Sequence, residues 1–393
     1  MDVTNQTPEP QDNTPLEGAT ESLPAAAVAA PVSEAAADAP SAKKVSAKDS
    51  WAVGLTQDMV ERQLAFYNTR VRHPAMDALI DDLMPLLMPH SESNIIVITG
   101  ATGAGKSTLT TVLLKSLFED FAQLMDADKS AKPLIAVEAY ANGETNHGFK
   151  GLFRSMAEQL EEPGLNQKAP SVIADGKLKV NPYGRQTIDG LRRIVQDGLK
   201  ARHTRVAVID EAAHLLRFAK NAVAMDTLKS LSNTAGGVKW VLVGSFDLFD
   251  LIVEGGQIAR RATILNLERY HVERKQDREA FRLIVSKLQK KWPSPQQRPN
   301  FVAIADELLE VSLGCVGLLK SFMLDASAMQ LRNDGVWKPE FLKKAVKANK
   351  LRHLIRKEIE AGEEKVRDAL YGNSHWDDET FSKLISKMEV ERE

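Results

Sequence analysis

Lys106 and Ser107 close a glycine-rich run, Gly100-Ala101-Thr102-Gly103-Ala104-Gly105-Lys106-Ser107-Thr108, at the spacing G-x-x-x-x-G-K-[ST]. An ammonium and a hydroxyl placed just behind such a loop can hold a polyphosphate and its cation. Gly100, Gly103 and Gly105 let backbone N–H groups approach an anion with no Cβ in the way. Lys106 would reach the β- and γ-phosphates while the Ser107 hydroxyl sits on Mg2+, with the phosphates at a helix N-terminus. A second pair, Asp210-Glu211, ends the apolar run R-V-A-V-I-D. Asp210 is suited to the Mg2+ shell at the carboxyl edge of a sheet, and Glu211 to polarising a water in line with the γ-phosphate. His214, one helical turn further on, reads as structural.

Three more positions extend this chemistry. Ser245 follows V-K-W-V-L-V-G and would stand at the same sheet edge as Asp210, where it can hydrogen-bond the attacking water or the γ-phosphate. Arg260 and Arg261 precede the run A-T-I-L-N-L. Adjacent arginines are commonly a solvated surface feature, but in a ring or filament this pair would face the next subunit's nucleotide. Lys320 closes G-C-V-G-L-L-K, a helix start that could bring it towards the phosphates.

Alternating β-branched runs and amphipathic stretches supply the elements that must position these groups. Strands are expected at 94–99, 134–139, 205–210, 238–244 and 262–267. Helices are expected at 57–67, 74–88, 107–125, 149–160, 187–200, 226–234 and 246–252. A further helical series at 275–291, 301–312, 317–331 and 339–360 is broken by Pro293, Pro295 and Pro299. Residues 140–151 read as a glycine-punctuated loop and 161–185 as irregular. Between the first two helices, Arg70, Arg72 and His73 read as plain surface contacts. The pattern implies an α/β fold: a P-loop core with a five-stranded parallel sheet flanked by helices, plus a small C-terminal all-α lid. The boundaries are a tail at 1–50, an N-terminal helical segment at 51–93, a nucleotide-binding core at 94–270, the lid at 271–360 and a mixed-charge extension at 361–393.

Composition narrows the classes. A single cysteine, Cys315, excludes an intramolecular disulfide framework and fits a reducing cytoplasm. No apolar run is long enough to span a bilayer, and no basic-then-apolar signal peptide opens the chain. The net charge of −2 divides unevenly: residues 1–49 hold eight acidic residues and three Lys, leaving 48 basic and 45 acidic residues elsewhere. An Ala-, Pro- and acid-rich tail of that kind buries too little apolar surface to offset its ordering entropy. The helical run holding Lys343, Lys344, Lys347, Lys350, Arg352, Arg356 and Lys357 is a solvated face or a contact for nucleic acid or a partner.

A glutamate after the second-motif Asp, a polar residue ending the next strand and a helical lid indicate a P-loop ATPase whose catalytic strand is inserted beside the phosphate-loop strand. Five strands with a C-terminal helical domain narrow this to the AAA+ class. The segments G-A-T-G-A-G-K-S-T, V-A-V-I-D-E-A-A-H-L-L, V-L-V-G-S-F-D-L, Q-I-A-R-R-A-T-I-L-N-L-E-R-Y and G-C-V-G-L-L-K resemble the TnsC/TniB transposition ATPases over residues 60–330.

The resemblance implies ATP with Mg2+, a ring or helical filament of copies on double-stranded DNA, and a link between a target-selection protein and a transposase. The selector would be a site-specific DNA binder or an RNA-guided complex. It further implies a bacterial cytoplasmic protein associated with the nucleoid. Lys106 and Ser107 would hold ATP and Mg2+, Asp210 and Glu211 would support hydrolysis, and Ser245 would sense the γ-phosphate. Arg260 or Arg261 would act in trans on the neighbour, and Lys320 stands where many AAA+ proteins carry Arg. Lys150 and Arg154, at a loop-to-helix junction that tends to face a ring's channel, are the local candidates for DNA contact. Two other readings stay open: a replication-initiator or helicase-loader AAA+ ATPase, and a scaffold or signalling module that binds ATP without hydrolysing it.

Overall fold

Short runs of Ile, Val and Leu form the strands because a β-branched side chain fits a pleated surface buried on both faces. The computed structural model describes residues 55–89, 91–139, 148–162, 187–217, 237–249, 262–348 and 352–371. It adds the backbone of 171–174 and 177–180 and the isolated positions 227, 230 and 231. All of them belong to one compact unit, Ala52–Glu393. The tail at 1–50, the loop after the second core strand, the 226–234 helix (but for positions 227, 230 and 231), the Lys347 side chain, Lys350 and residues 372–393 lie outside the described residues.

The strands are β1 (Ile95–Gly100), β2 (Leu134–Glu138), β3 (Ser171–Ala174), β4 (Lys177–Val180), β5 (Val206–Asp210), β6 (Lys239–Val243) and β7 (Ala262–Leu267). Five pair in parallel in the order β2-β5-β6-β1-β7, the expected α/β sheet. Two details differ from expectation. The strand beside β1 is β6, which leads to Ser245; β5, which carries Asp210, lies one strand further out. In addition, β3 and β4 form an antiparallel hairpin within a stretch read as irregular. Asp175-Gly176 between two short alternating runs is the signal for it.

Period-two alternation gives the sheet two cores. Ile96, Ile98, Val206, Val208, Val241 and Val243 face α2 (Pro74–Leu87) and α3 (Lys106–Asp120), while Ile95, Val97, Ala207, Ile209, Trp240 and Leu242 face the helix pair Gly148–Gln159 and Ile188–Ala201. We number the remaining helices α1 (Gln57–Asn68), α4 (Ala122–Ala127), α5 (Gly148–Gln159), α6 (Ile188–Ala201), α7 (Lys275–Lys290), α8 (Ala305–Val311), α9 (Val316–Leu331), α10 (Pro339–Ala348) and α11 (Arg352–Tyr371).

The observed helices depart from the expected ones in three places. The 107–125 helix breaks at Phe121, whose φ of −90° and ψ of 1° end α3 and start α4. The 301–312 helix opens as a 3-10 turn because the Gln289 side chain accepts from Phe301 N and Val302 N. The 339–360 stretch holds α10 and the first part of α11, and α11 continues past 360 to Tyr371.

The lid closes over aromatic edges: Trp292 meets Phe66, Phe301 and Trp337, and Trp337 meets Phe341. Phe66 belongs to α1, so the first helix docks on the lid. Gln63 donates to Leu324 O and accepts from Ser327 Oγ across that contact. Among the described residues no helix is long and apolar enough to cross a membrane.

His73 is the clearest departure from a surface reading. It is 1% exposed, its Nδ1 is 2.8 Å from the Tyr270 hydroxyl, and its Nε2 has no hydrogen-bond partner among the described residues. Arg72 next to it is exposed and pairs with Asp77. Burial pushes the His73 pKa down to about 4. The unfolded chain therefore takes up a proton below pH 6.5 that the native chain refuses, so this contribution is complete above pH 6.5 and fades as the pH falls towards 4. Wild type should lose about 2 kcal/mol of unfolding free energy between about pH 7.5 and about pH 5 from this group. His73→Asn should start lower but show a flatter profile over that window, measured by denaturant titration; parallel profiles would remove His73 as the cause.

Candidate functional site

β1 delivers the phosphate loop, and the loop's shape follows from two glycines. Gly103 has φ +81° and Gly105 φ +113°, in the left-handed region where other residues are strained. A Cβ on Gly105 would also stand 2.7 Å from Met76 Cε. Gly105 is the N-cap of α3, and its carbonyl accepts from Thr108 N and Leu109 N at 2.9 Å. Ala101 and Ala104 are buried beneath the loop. Lys106 Nζ donates to Gly100 O at 2.9 Å and Ala101 O at 3.0 Å, which holds the ammonium inside the loop. Burial lowers its pKa, opposed by the nearby Glu211.

The neighbouring strand ends bring the other groups to the same edge. Asp210 ends β5, and its Oδ1 accepts from Glu211 N at 2.9 Å. Burial raises the Asp210 pKa, with Glu211 and Glu138 adding repulsion. Glu211 itself has φ +51°, an uncommon conformation for a non-glycine residue, of the kind that clusters at functional sites. His214 donates from Nδ1 to Ala139 O at 2.7 Å, tying the end of β5 to the end of β2; this is a structural bond. Ser245 follows β6 and donates to Asp247 Oδ2 at 3.1 Å.

These elements enclose a cleft of about 440 Å³. Thr102, Gly103, Gly105, Lys106, Ser107 and Thr108 form its floor, with Glu211 and Ser245 on the strand side and Lys320 on the lid side. Lys320 Nζ donates to Tyr67 O at 2.6 Å and Thr69 O at 2.7 Å, and burial pushes its pKa down to about 8. The cleft therefore unites most of the sequence-derived candidates. Arg260 and Arg261 lie outside the described residues. Lys150 and Arg154 are elsewhere: they belong to α5, packed on the sheet face opposite α3, and Arg154 pairs with Glu158 at 3.1 Å.

Sequence reasoning missed the apolar end of the cleft. Val71, Met76, Leu288 and Val316 line it, together with Thr69 and Arg70. They come from the linker between α1 and α2, from α2 itself, and from two lid helices, so no local spacing reveals them. Helical periodicity marks Met76 and Leu288 as buried but not what they face.

Two carboxylates and a hydroxyl near a phosphate loop fit a cation that keeps most of its ligands from water and phosphate, as Mg2+ does. Among the described residues no group of three His, Cys, Asp or Glu could hold a metal ion by itself.

Sheet order, phosphate loop and helical lid define a P-loop AAA+ fold. Residues 90–252 match the family model described as AAA domain. A search of curated proteins finds no match. Among solved structures, the chain is similar to the Aeropyrum pernix ORC1 protein in complex with DNA, at 14% identity and a TM-score of 0.52, covering 82% of this chain and 86% of that one. It is also similar to the Aeropyrum pernix ORC2 protein in its ADPNP-ADP complexes, at 14% identity and a TM-score of 0.48, covering 82% and 88%. A third is domain III of the Thermotoga maritima replication initiation protein DnaA, at 12% identity and a TM-score of 0.39, covering 78% and 98%. At these identities the likeness is one of fold.

The lid meets the loop backbone to backbone at Gly317: its N donates to Gly103 O at 2.7 Å, and a Cβ there would stand 2.8 Å from that oxygen. Gly317→Ala forces backbone against backbone. Overpacking of this kind costs about 1–3 kcal/mol, so nucleotide affinity should fall roughly tenfold or more as the lid shifts. Titration with a fluorescent nucleotide checks this, and unchanged affinity would show the lid contact to be dispensable.

Proposed function

We propose that the chain is a Mg2+-dependent ATPase of the AAA+ type that works as an assembly switch on duplex DNA in transposition. The observation that supports it most is the convergence of Lys106, Ser107, Glu211, Ser245 and Lys320 on one cleft between core and lid. Mg2+, held by Ser107 Oγ and Asp210, would neutralise charge on the phosphate oxygens during transfer to water. Lys106 and the loop N–H groups bind the β- and γ-phosphates. Glu211 accepts a hydrogen bond from the attacking water and orients it. Ser245 donates to the water or the γ-phosphate, and Lys320 offers a lid-side cation. Val71, Met76 and Leu288 give the base an apolar seat, with Thr69 and Arg70 beside it.

The transposition assignment rests on the resemblance of the D-E-A-x-H, A-R-R and G-C-V-G-x-L-K segments to the TnsC/TniB ATPases. In that reading Arg260 or Arg261 completes the neighbour's site, and copies assemble as a ring or filament on DNA. A target-selection protein and a transposase dock on that assembly. Lys150 and Arg154 would track phosphates without reading bases, so DNA binding would be salt-sensitive and weakly sequence-selective. The domain limits that go with this reading are 94–270 for the core and 271–360 for the lid.

Turnover with and without duplex DNA separates the readings. Glu211→Gln should keep ATP binding, lose at least about a hundredfold in turnover and leave longer-lived oligomers on DNA. Lys106→Ala should lose both ATP affinity and DNA loading. Arg261→Ala should lower hydrolysis without changing the monomer's nucleotide affinity; the same defect from Arg260→Ala alone would move that role to Arg260. A wild type that hydrolyses no ATP under any DNA condition favours the scaffold reading. Hydrolysis coupled to loading of a replicative helicase favours the initiator reading.

Lys320 adds a pH dependence. With its pKa near 8, the free protein loses this cation as the pH rises through that value, so ATP affinity should decline above about pH 8. Lys320→Met should remove that decline while leaving the affinity at high pH unchanged, measured by the same titration across pH.

A further inference from the structure

The last described helix, α11, lies across the machinery it follows. Its stripe Ile355, Ile359, Gly362, Val366 has helical spacing, and Ile359 and Val366 are buried in the core that holds the α3 face of the sheet. Gly362 sits so tightly on Phe246 that a Cβ would fall 2.0 Å from the ring. Phe246 directly follows Ser245, so α11 presses on the segment that carries a proposed γ-phosphate contact. Glu363 forms a two-pronged pair with Arg269, at 2.7 Å to Nε and 3.1 Å to Nη2, just beyond the end of β7. At its first turn, Arg352 donates to Val311 O on the lid at 3.5 Å.

One contact on this helix belongs to the phosphate loop itself. Glu358 Oε1 accepts a hydrogen bond from Thr102 Oγ1 at 2.9 Å, joining residues 256 apart in sequence. Thr102 lines the cleft, and the Glu358 carboxylate is near enough to Lys106 to favour its charged form. A carboxylate in that place has a consequence for any anionic ligand. It neutralises part of the loop's positive field, and it repels a polyphosphate seated on the same loop. The hydrophobic stripe and the Arg269–Glu363 pair have no such conflict, because neither touches the loop.

We propose that Glu358 makes α11 an acidic latch on the phosphate loop, held against Thr102 in competition with a bound triphosphate. Filling the loop drives the Glu358 end of the helix away from Thr102, while Glu363 keeps its hold on Arg269. The first turns of α11 are then freed, so nucleotide loading is read out as loosening of the Glu358 end of the helix. This inference rests on the nucleotide reading of the cleft and adds to it a regulatory element outside the AAA domain match.

Glu358→Gln is the discriminating variant, because the amide oxygen can still accept from Thr102 while the charge is gone. Fluorescent ATP and ADP analogues are titrated into the full-length wild type, Glu358→Gln and Glu364→Gln, an exposed charge six residues further along. Glu358→Gln should bind the triphosphate roughly three- to tenfold tighter, with a smaller gain for the diphosphate and less than about twofold for Glu364→Gln. In parallel, hydrogen exchange over residues 352–371 of the wild type should speed up on adding a non-hydrolysable ATP analogue. Equal affinities for wild type and Glu358→Gln, or slower exchange in α11 with the analogue bound, sink the latch alone. A wild type that binds neither nucleotide sinks the nucleotide reading and the latch with it.

Discussion

The approach of Gly317 to Gly103 joins the lid to the phosphate loop backbone to backbone, and the position of both follows from it. A backbone N–H at the first turn of α9 donates to a carbonyl of the phosphate loop at 2.7 Å, with no room for a side chain between them. Three residues earlier the same segment repeats the device. Gly314 has φ +74°, a Cβ there would stand 1.9 Å from Tyr270 O, and its own carbonyl accepts from Tyr270 N at 3.1 Å. Lid, phosphate loop and the end of β7 are thereby tied at one point. Cys315, caught between the two glycines, is fully buried, and burial raises its thiol to about 12, so it packs there as a small apolar group. A loop change that moves Gly103 must move α9 with it.

Charge in the cleft follows from the same packing. Burial lowers the Lys106 pKa and raises the Asp210 pKa, so each charged form is held in the site at a desolvation cost. A polyphosphate would lower the first cost and a divalent cation the second, and the Mg2+-nucleotide of the proposed function would supply both. Buried lysines need not be functional, and Lys239 shows the contrast. Its Nζ donates to Ser91 O, Ser91 Oγ, Ser93 O and Asn94 Oδ1 at 2.7–3.4 Å, and these bonds anchor residues 91–94 at the start of β6. Four neutral acceptors satisfy that ammonium. In Lys106 the acceptors are the loop's own carbonyls, beside a cleft that an anion can enter.

Local chemistry made the strands and the phosphate loop legible, and 262–267 was read to the residue. β-Branched runs announce buried strands, and G-x-x-x-x-G-K-S announces its own turn. The order of the strands was not legible, because β6 reaches its place between β1 and β5 through pairings distant in sequence. The β3–β4 hairpin was overlooked although Asp175-Gly176 advertised it; its four-residue runs gave too little periodicity to count. His73 was misread for a different reason. Flanked by arginines and a proline it looks like a turn, and only the arrival of Tyr270 from the far end of the core buries it. Glu358 on Thr102 and Glu363 on Arg269 are of the same kind, since both partners look like ordinary surface charges until α11 is folded back.

That folding-back has a counterpart at the other end of the unit. α1 docks on the lid through Phe66, Gln63 and the Tyr67 and Thr69 carbonyls that accept from Lys320. Only five residues later, α2 begins and packs on the sheet beside α3. The strap at 69–73 therefore crosses from lid to core, and it does so along the cleft, with Thr69, Arg70 and Val71 in the lining. His73 pins its core end against Tyr270, and Lys320 pins its lid end. Both ends of the strap are hydrogen-bonded, one to the lid and one to the core, which fixes its path along the cleft. Val71 of the strap lines the apolar end of the cleft, so whatever fills that end packs against the strap itself.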